Sequence, residues 1–105
     1  MSRLIVLTTV GKPEDAEWIS REVVERGLAA CVNIIPSVTS IYRFRGEVEK
    51  SDEILLLMKT TGERFEALRE AVVSMHTYEV PEVIALEIDA GHMPYLAWLD
   101  ELGAR

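Results

Sequence analysis

An unbroken apolar run opens the chain. Arg3 to Val10 is too short for a helix and rich in β-branched residues, and its lack of alternation predicts a central strand covered on both faces. Pro13 then suits a first helical turn, with Glu14 and Asp15 favourable at the positive end of the helix dipole. Ala16, Ile19, Val23 and Val24 recur at helical spacing until Gly27 supplies a cap. Leu28 to Ile35 is again apolar and strand-like. Pro36 interrupts it, and alternation resumes through Val38, Ser40, Tyr42 and Phe44, which is either a second strand or one strand bent at a bulge. The polar stretch from Gly46 to Asp52 predicts a hairpin connection, and Glu53 to Thr60 a buried strand. Thr60 and Glu63 have capping-box spacing ahead of an amphipathic helix carrying Phe65, Leu68, Val72 and Met75, which ends near His76. Val80 to Ile88 predicts a strand with Ile84, Leu86 and Ile88 on one face, and Met93 to Leu102 a last helix.

With the bent strand counted once, the order is β-α-β-β-α-β plus a terminal helix. That is an α+β, ferredoxin-like arrangement with an antiparallel sheet, built as a single domain over residues 1–105. Two helices cover only one sheet face, yet the strands look apolar on both. The terminal helix also spreads Tyr95, Leu96, Trp98, Leu99 and Leu102 around more than one stripe. The surplus predicts an oligomer in which sheet faces or edges meet; the alternative is that the last helix folds back over the open face.

Charge narrows the partners. Eleven basic against eighteen acidic residues leave a net charge of −7, which argues against nucleic acid as a partner. No apolar run approaches the roughly 18 residues of a membrane span, and none resembles a signal peptide, so a cytoplasmic protein without a membrane partner is the expectation. One cysteine excludes an intrachain disulfide. The absence of Gln, with Asn33 the lone Asn, matches the depletion of thermolabile amides in heat-adapted proteins and suggests a thermostable chain.

The segment from Met75 to Glu82 gathers polar function at a helix-to-strand junction, the kind of place where sites form. His76 could ligate a metal or simply favour a helix C-terminus; Tyr78 could bind a ligand or pack half-buried; Glu79 and Glu82 could join an acidic pocket or be solvated. Cys31, flanked by small residues, is a soft ligand for copper or a small buried hydrophobe. Lys59 at a strand end could meet an anion, and Arg43 and Arg45 read as cross-strand partners of Glu47 and Glu49. No phosphate-binding loop, nucleophile elbow or zinc-ligand spacing occurs, so nothing supports an enzyme.

Five segments, in order, carry a resemblance covering nearly the whole chain. They are Leu28-Ala29-Ala30-Cys31-Val32-Asn33-Ile34, Ser40-Ile41-Tyr42-Arg43-Phe44-Arg45-Gly46, Leu57-Met58-Lys59-Thr60-Thr61, His76-Thr77-Tyr78-Glu79-Val80-Pro81-Glu82 and Tyr95-Leu96-Ala97-Trp98-Leu99. Together they resemble the CutA family of divalent-cation tolerance proteins. The resemblance implies a ferredoxin-like homotrimer, non-enzymatic, linked to copper or another divalent metal ion. His76 and Cys31 are the metal candidates it brings forward, and Lys59, Tyr78 and Glu79 line an inter-subunit cleft. Its likeness to PII signalling trimers implies the alternative of a sensor or scaffold whose cleft takes a metabolite or protein partner. The chain departs from the family pattern at Thr77, where Pro is usual, and at Phe44, where Trp is usual. Thr8 and Met75 stand where some members place extra Cys or His.

Overall fold

A computed structural model describes residues 2–103. Strand β1 (Arg3–Val10) leads to helix α1 (Pro13–Glu25), then β2 (Cys31–Phe44), β3 (Glu47–Thr61), helix α2 (Phe65–Met75), β4 (Ile84–Glu87) and helix α3 (Met93–Asp100). The sheet order is β2-β3-β1-β4, with every pairing antiparallel, so the ferredoxin-like α+β expectation holds. Strand register explains the two faces. Val6 sits opposite Met58, Thr8 opposite Leu56 and Val10 opposite Ile54. This face meets Ile19 and Val23 of α1 and Leu68 and Val72 of α2 in one fully buried cluster. The opposite face carries Ile5, Leu7, Leu55 and Leu57, with Ile84 and Leu86 from β4. Helix α3 covers only one end of it: Leu99 and Leu102 pack on Ala30 and Ile88, and Arg3 clasps Asp100 through two bonds of 2.8 and 2.9 Å. Ile84 and Leu86 remain 50% and 55% exposed. The fold-back of the last helix is therefore real but partial, and an apolar surplus persists.

Of the two readings of the second strand the bent one holds, and the hairpin connection moves. Residues on either side of Pro36 form one strand with a bulge: Pro36 and Ser37 stand between the pairs Ile35–Leu55 and Val38–Glu53, where only Ile54 lies opposite. Pro36 lies in β2, an edge strand, where its missing N–H does least harm. The connection is not Gly46 to Asp52 but the two residues Arg45 and Gly46, at φ 51° and 83°, the positive values that tight right-twisted hairpins need. Past Ile54 the β2–β3 ladder leaves β1 behind and runs on as a free arm. Arg43 and Arg45 do not pair with Glu47 and Glu49. Arg43 lies opposite Val48, and Arg45 lies over the Phe44 ring at 4.9 Å.

The capping box does not form either. Thr60 remains in β3, and its hydroxyl donates to the Leu28 carbonyl at 2.7 Å, tying the strand to the α1–β2 connection. The last strand begins at Ile84 rather than Val80, after Pro81, which has no N–H to offer a ladder.

Candidate functional site

Where the arm leaves the sheet, the strand residues Thr9, Glu53, Ser51, Ser40 and Tyr42 face the loop after α2, and Tyr78, Glu79 and Glu82 close a cleft of about 970 Å³. Register aligns its floor: Ser40 opposes Ser51, Tyr42 opposes Glu49 and Val38 opposes Glu53, so Ser40, Tyr42, Ser51 and Glu53 share the face not covered by α1 and α2. The Tyr42 hydroxyl and Ser51 Oγ share a hydrogen bond of 2.6 Å across this ladder.

Helix α2 ends at His76, whose backbone is extended at φ −77°, ψ 146°. A following Pro would enforce that shape; with Thr77 in place, side-chain bonds hold it. His76 Nε2 lies 2.8 Å from the Thr9 carbonyl, and Nδ1 accepts the Tyr78 N–H at 3.1 Å. A carbonyl only accepts, so Nε2 carries the proton and the ring is the neutral Nε2–H tautomer with both nitrogens engaged. The His76 and Tyr78 rings lie 4.7 Å apart. The turn aims the Tyr78 hydroxyl at Glu53 Oε2, to which it donates at 2.6 Å. Burial first, then this bond and the charge of Glu53, push the phenol up to about 12. Glu53 itself is only 9% exposed.

Of the sequence candidates, the structure brings Tyr78 and Glu79 into the cleft and sets His76 behind it. Within one subunit Lys59 and Cys31 lie away from it. They face each other across β3 and β2 near the far end of β1, in the register of Ile5, whereas His76 meets Thr9. Four residues of strand separate those levels, roughly 13 Å. The Lys59 ammonium donates to Asn33 Oδ1 at 2.8 Å and lies 5.8 Å from the Tyr95 ring. Cys31 Sγ contacts the same Asn33 oxygen at 3.9 Å. Among the described residues, no three His, Cys, Asp or Glu side chains converge as a metal site. Thr8 is fully buried on the helix-covered face and Met75 packs against the core, so neither position faces the cleft. Glu53 gave no signal in the sequence, because it sits at the edge of a polar stretch that resembles an ordinary connection.

Residues 4–102 match the family model described as CutA1 divalent ion tolerance protein. A divalent-cation tolerance protein CutA of Thermus thermophilus is 52% identical over 92% of this chain and 94% of its own length. The solved structure of the Thermus thermophilus protein superposes with a TM-score of 0.92 at 50% identity, covering 94% of this chain and 96% of that one. A CutA homolog of Xenopus laevis is 51% identical over 83% of this chain, but this chain spans only 58% of it. These relatives also correct the cytoplasmic expectation. An Archaeoglobus fulgidus structure, 35% identical with a TM-score of 0.92, is described as periplasmic, and an Arabidopsis thaliana relative as chloroplastic. The lack of a leader-like apolar run does not fix the compartment, because the same domain is at home in several. With the family model matched from β1 to the end of α3 and half the residues shared with the Thermus protein, the chain belongs to the CutA1 divalent ion tolerance family.

Proposed function

We propose that the protein serves divalent-cation tolerance as a non-enzymatic homotrimer that takes up copper or a related divalent ion weakly at the His76 side of the cleft. The observation that carries this reading is the state of His76: its only unprotonated nitrogen, Nδ1, is held by the Tyr78 N–H. A metal must displace that bond, at about 1 kcal/mol, before it can coordinate. Further ligands must then come from the acidic loop (Glu79) or from a neighbouring subunit. That combination makes a weak site rather than a resident cofactor centre. Cys31, on the open sheet face, is a second and separate soft ligand. The trimer is supported by the exposed apolar Ile84 and Leu86 and by the free arm bearing Ile41, Phe44 and Val48, which are 69%, 53% and 66% exposed. Calorimetric titration with copper tests the site. His76→Ala is expected to remove most of the binding heat and Cys31→Ser to leave it, whereas unchanged binding in His76→Ala removes His76 from the site.

A second reading, a cleft that takes a small molecule or partner, is favoured by a different observation: Ile41, Tyr42, Phe44, Tyr78 and Val80 give it apolar and aromatic walls that no inorganic ion requires. Stabilisation in a thermal-shift screen by an organic ligand, with metals chelated, distinguishes it from the first.

A further inference from the structure

The segment from Thr77 to Val83 joins α2 to β4, and its backbone does little to hold it. Among the described residues, no backbone-to-backbone hydrogen bond ties it to the rest of the chain. At its far end Val83 packs against the core. At its near end two side chains hold it. His76 Nε2 donates to the Thr9 carbonyl at 2.8 Å, and the Tyr78 hydroxyl donates to Glu53 at 2.6 Å. The Tyr78 N–H joins these two points by donating to His76 Nδ1 at 3.1 Å. Tyr78 is also closely seated. A Cβ on Gly11 would stand 3.2 Å from the phenol oxygen, so the end of the ring rests where Gly11 has no side chain. A segment without a backbone ladder opens locally at a cost well below that of global unfolding.

The two ring nitrogens of His76 respond differently to an ion. A histidine that ligates through one nitrogen donates from the other to a carbonyl or carboxylate, and the Nε2–H bond to Thr9 already has that form. Nδ1 has one lone pair, and the Tyr78 N–H now uses it. Nδ1 can hold an ion only after the Tyr78 backbone has withdrawn. That withdrawal draws the phenol away from Gly11 and Glu53.

We infer that residues 77–83 form a strap latched by Tyr78 on Glu53, and that uptake of a divalent ion at His76 Nδ1 releases it. Tyr78, Glu79, Val80 and Glu82 of the strap line the cleft, so ion uptake resets one wall of the cleft. All the latch contacts lie within one subunit. The inference rests on the copper reading of His76 and adds the regulation of that site.

Coupling is reciprocal: if the ion opens the latch, a weaker latch binds the ion more tightly. In calorimetric titration of the intact protein with copper, Tyr78→Phe is expected to bind about fivefold tighter than the wild type, the equivalent of one hydrogen bond. That variant also frees Glu53. Gly11→Ala instead crowds the phenol and leaves every polar side chain in place, and is expected to bind about twofold tighter. Hydrogen–deuterium exchange at single-residue resolution gives a second readout on the wild type. Saturating copper is expected to speed exchange of the Tyr78 amide at least about tenfold and to leave the β1–β3 ladder unchanged, whereas an ion that only binds slows exchange beside it. Copper affinity equal to or below wild type in both variants overturns the strap, as does a Tyr78 amide that copper leaves protected. A gain in Tyr78→Phe without one in Gly11→Ala assigns the effect to the freed Glu53 and overturns it too. Should a variant fail to fold, the wild-type exchange decides. If copper does not bind, or binds His76→Ala as well as wild type, the copper reading fails and takes the strap with it. Binding lost in His76→Ala while Tyr78 stays protected leaves the copper reading standing and overturns the strap alone.

Discussion

Burial first, then the hydrogen bond to Glu53 and the charge of that carboxylate, raise Tyr78 to about 12. The sign of the resulting pH dependence is fixed. The phenol ionises near 10 in the unfolded chain and near 12 in the folded one. The unfolded state therefore releases its proton first, and the stabilisation, intact below 10, is lost as pH rises through 12. Absorbance titration of the phenolates is expected to show one tyrosine ionising near 12, and Glu53→Gln to bring that transition down. Tyr78→Phe removes the donor and leaves Glu53 Oε2 unpartnered, which is expected to cost about 1–3 kcal/mol in denaturant unfolding. The sequence announced Tyr78 as a polar residue at a junction but could not announce its partner. The pairing spans 25 residues and depends on β3 and the loop after α2 meeting on one sheet face. His76 was legible as a residue type, not as a ring with both nitrogens spent.

Among the elements, those with one strong apolar signal, a continuous run or a clear period, were readable: β1 and α1, α2 with its Leu68–Val72 face, and the bent β2. What misled was polar sequence with two competing uses. Glu47 to Asp52 pairs strand to strand on an arm exposed on both faces, where no hydrophobic alternation is needed and none is written. The real turn, Arg45–Gly46, is marked only by its glycine. Gly46→Ala tests that turn. Its new Cβ would meet no atom within 4 Å, so the cost is that of positive φ alone, about 1–2 kcal/mol, read from the unfolding midpoint. Helix α3 is held differently. Asp100 is kept below its ordinary 3.8 by the hydrogen bonds from Arg3 and by that cation's charge. A depressed carboxyl stabilises above its unfolded value and loses that contribution as pH falls through the folded one, so the α3 attachment weakens in acid below 3.8. In a Trp18→Phe background, Trp98 fluorescence is expected to report an acid transition of α3 that Arg3→Met abolishes.

For the whole molecule, the decisive fact is a sheet with one face fully covered and the other covered only at the end where Leu99 and Leu102 rest. A chain of this length can bury one layer of helices against one layer of sheet. The second apolar face was legible in the sequence as an excess, because Leu4 to Val10 and Ile54 to Met58 lack alternation. What the sequence could not show was how much α3 would hide. Leu86 and Ile84 measure the remainder, being half exposed on β4 and aligned with Ile5 and Leu7. If subunits meet there, a charge at Leu86 must break the assembly without harming the monomer, whose buried core lies on the opposite face. Leu86→Glu is expected to move sedimentation from trimer to monomer at micromolar concentration while leaving the far-ultraviolet circular dichroism unchanged. The separation of subunits is expected to be sharper at low salt, since three chains at −7 each bring −21 together and repel more when unscreened. A variant that stays trimeric with a native spectrum would place the contact elsewhere, on the arm of Ile41, Phe44 and Val48. A variant that unfolds would show that the subunit has no stable existence apart from its partners.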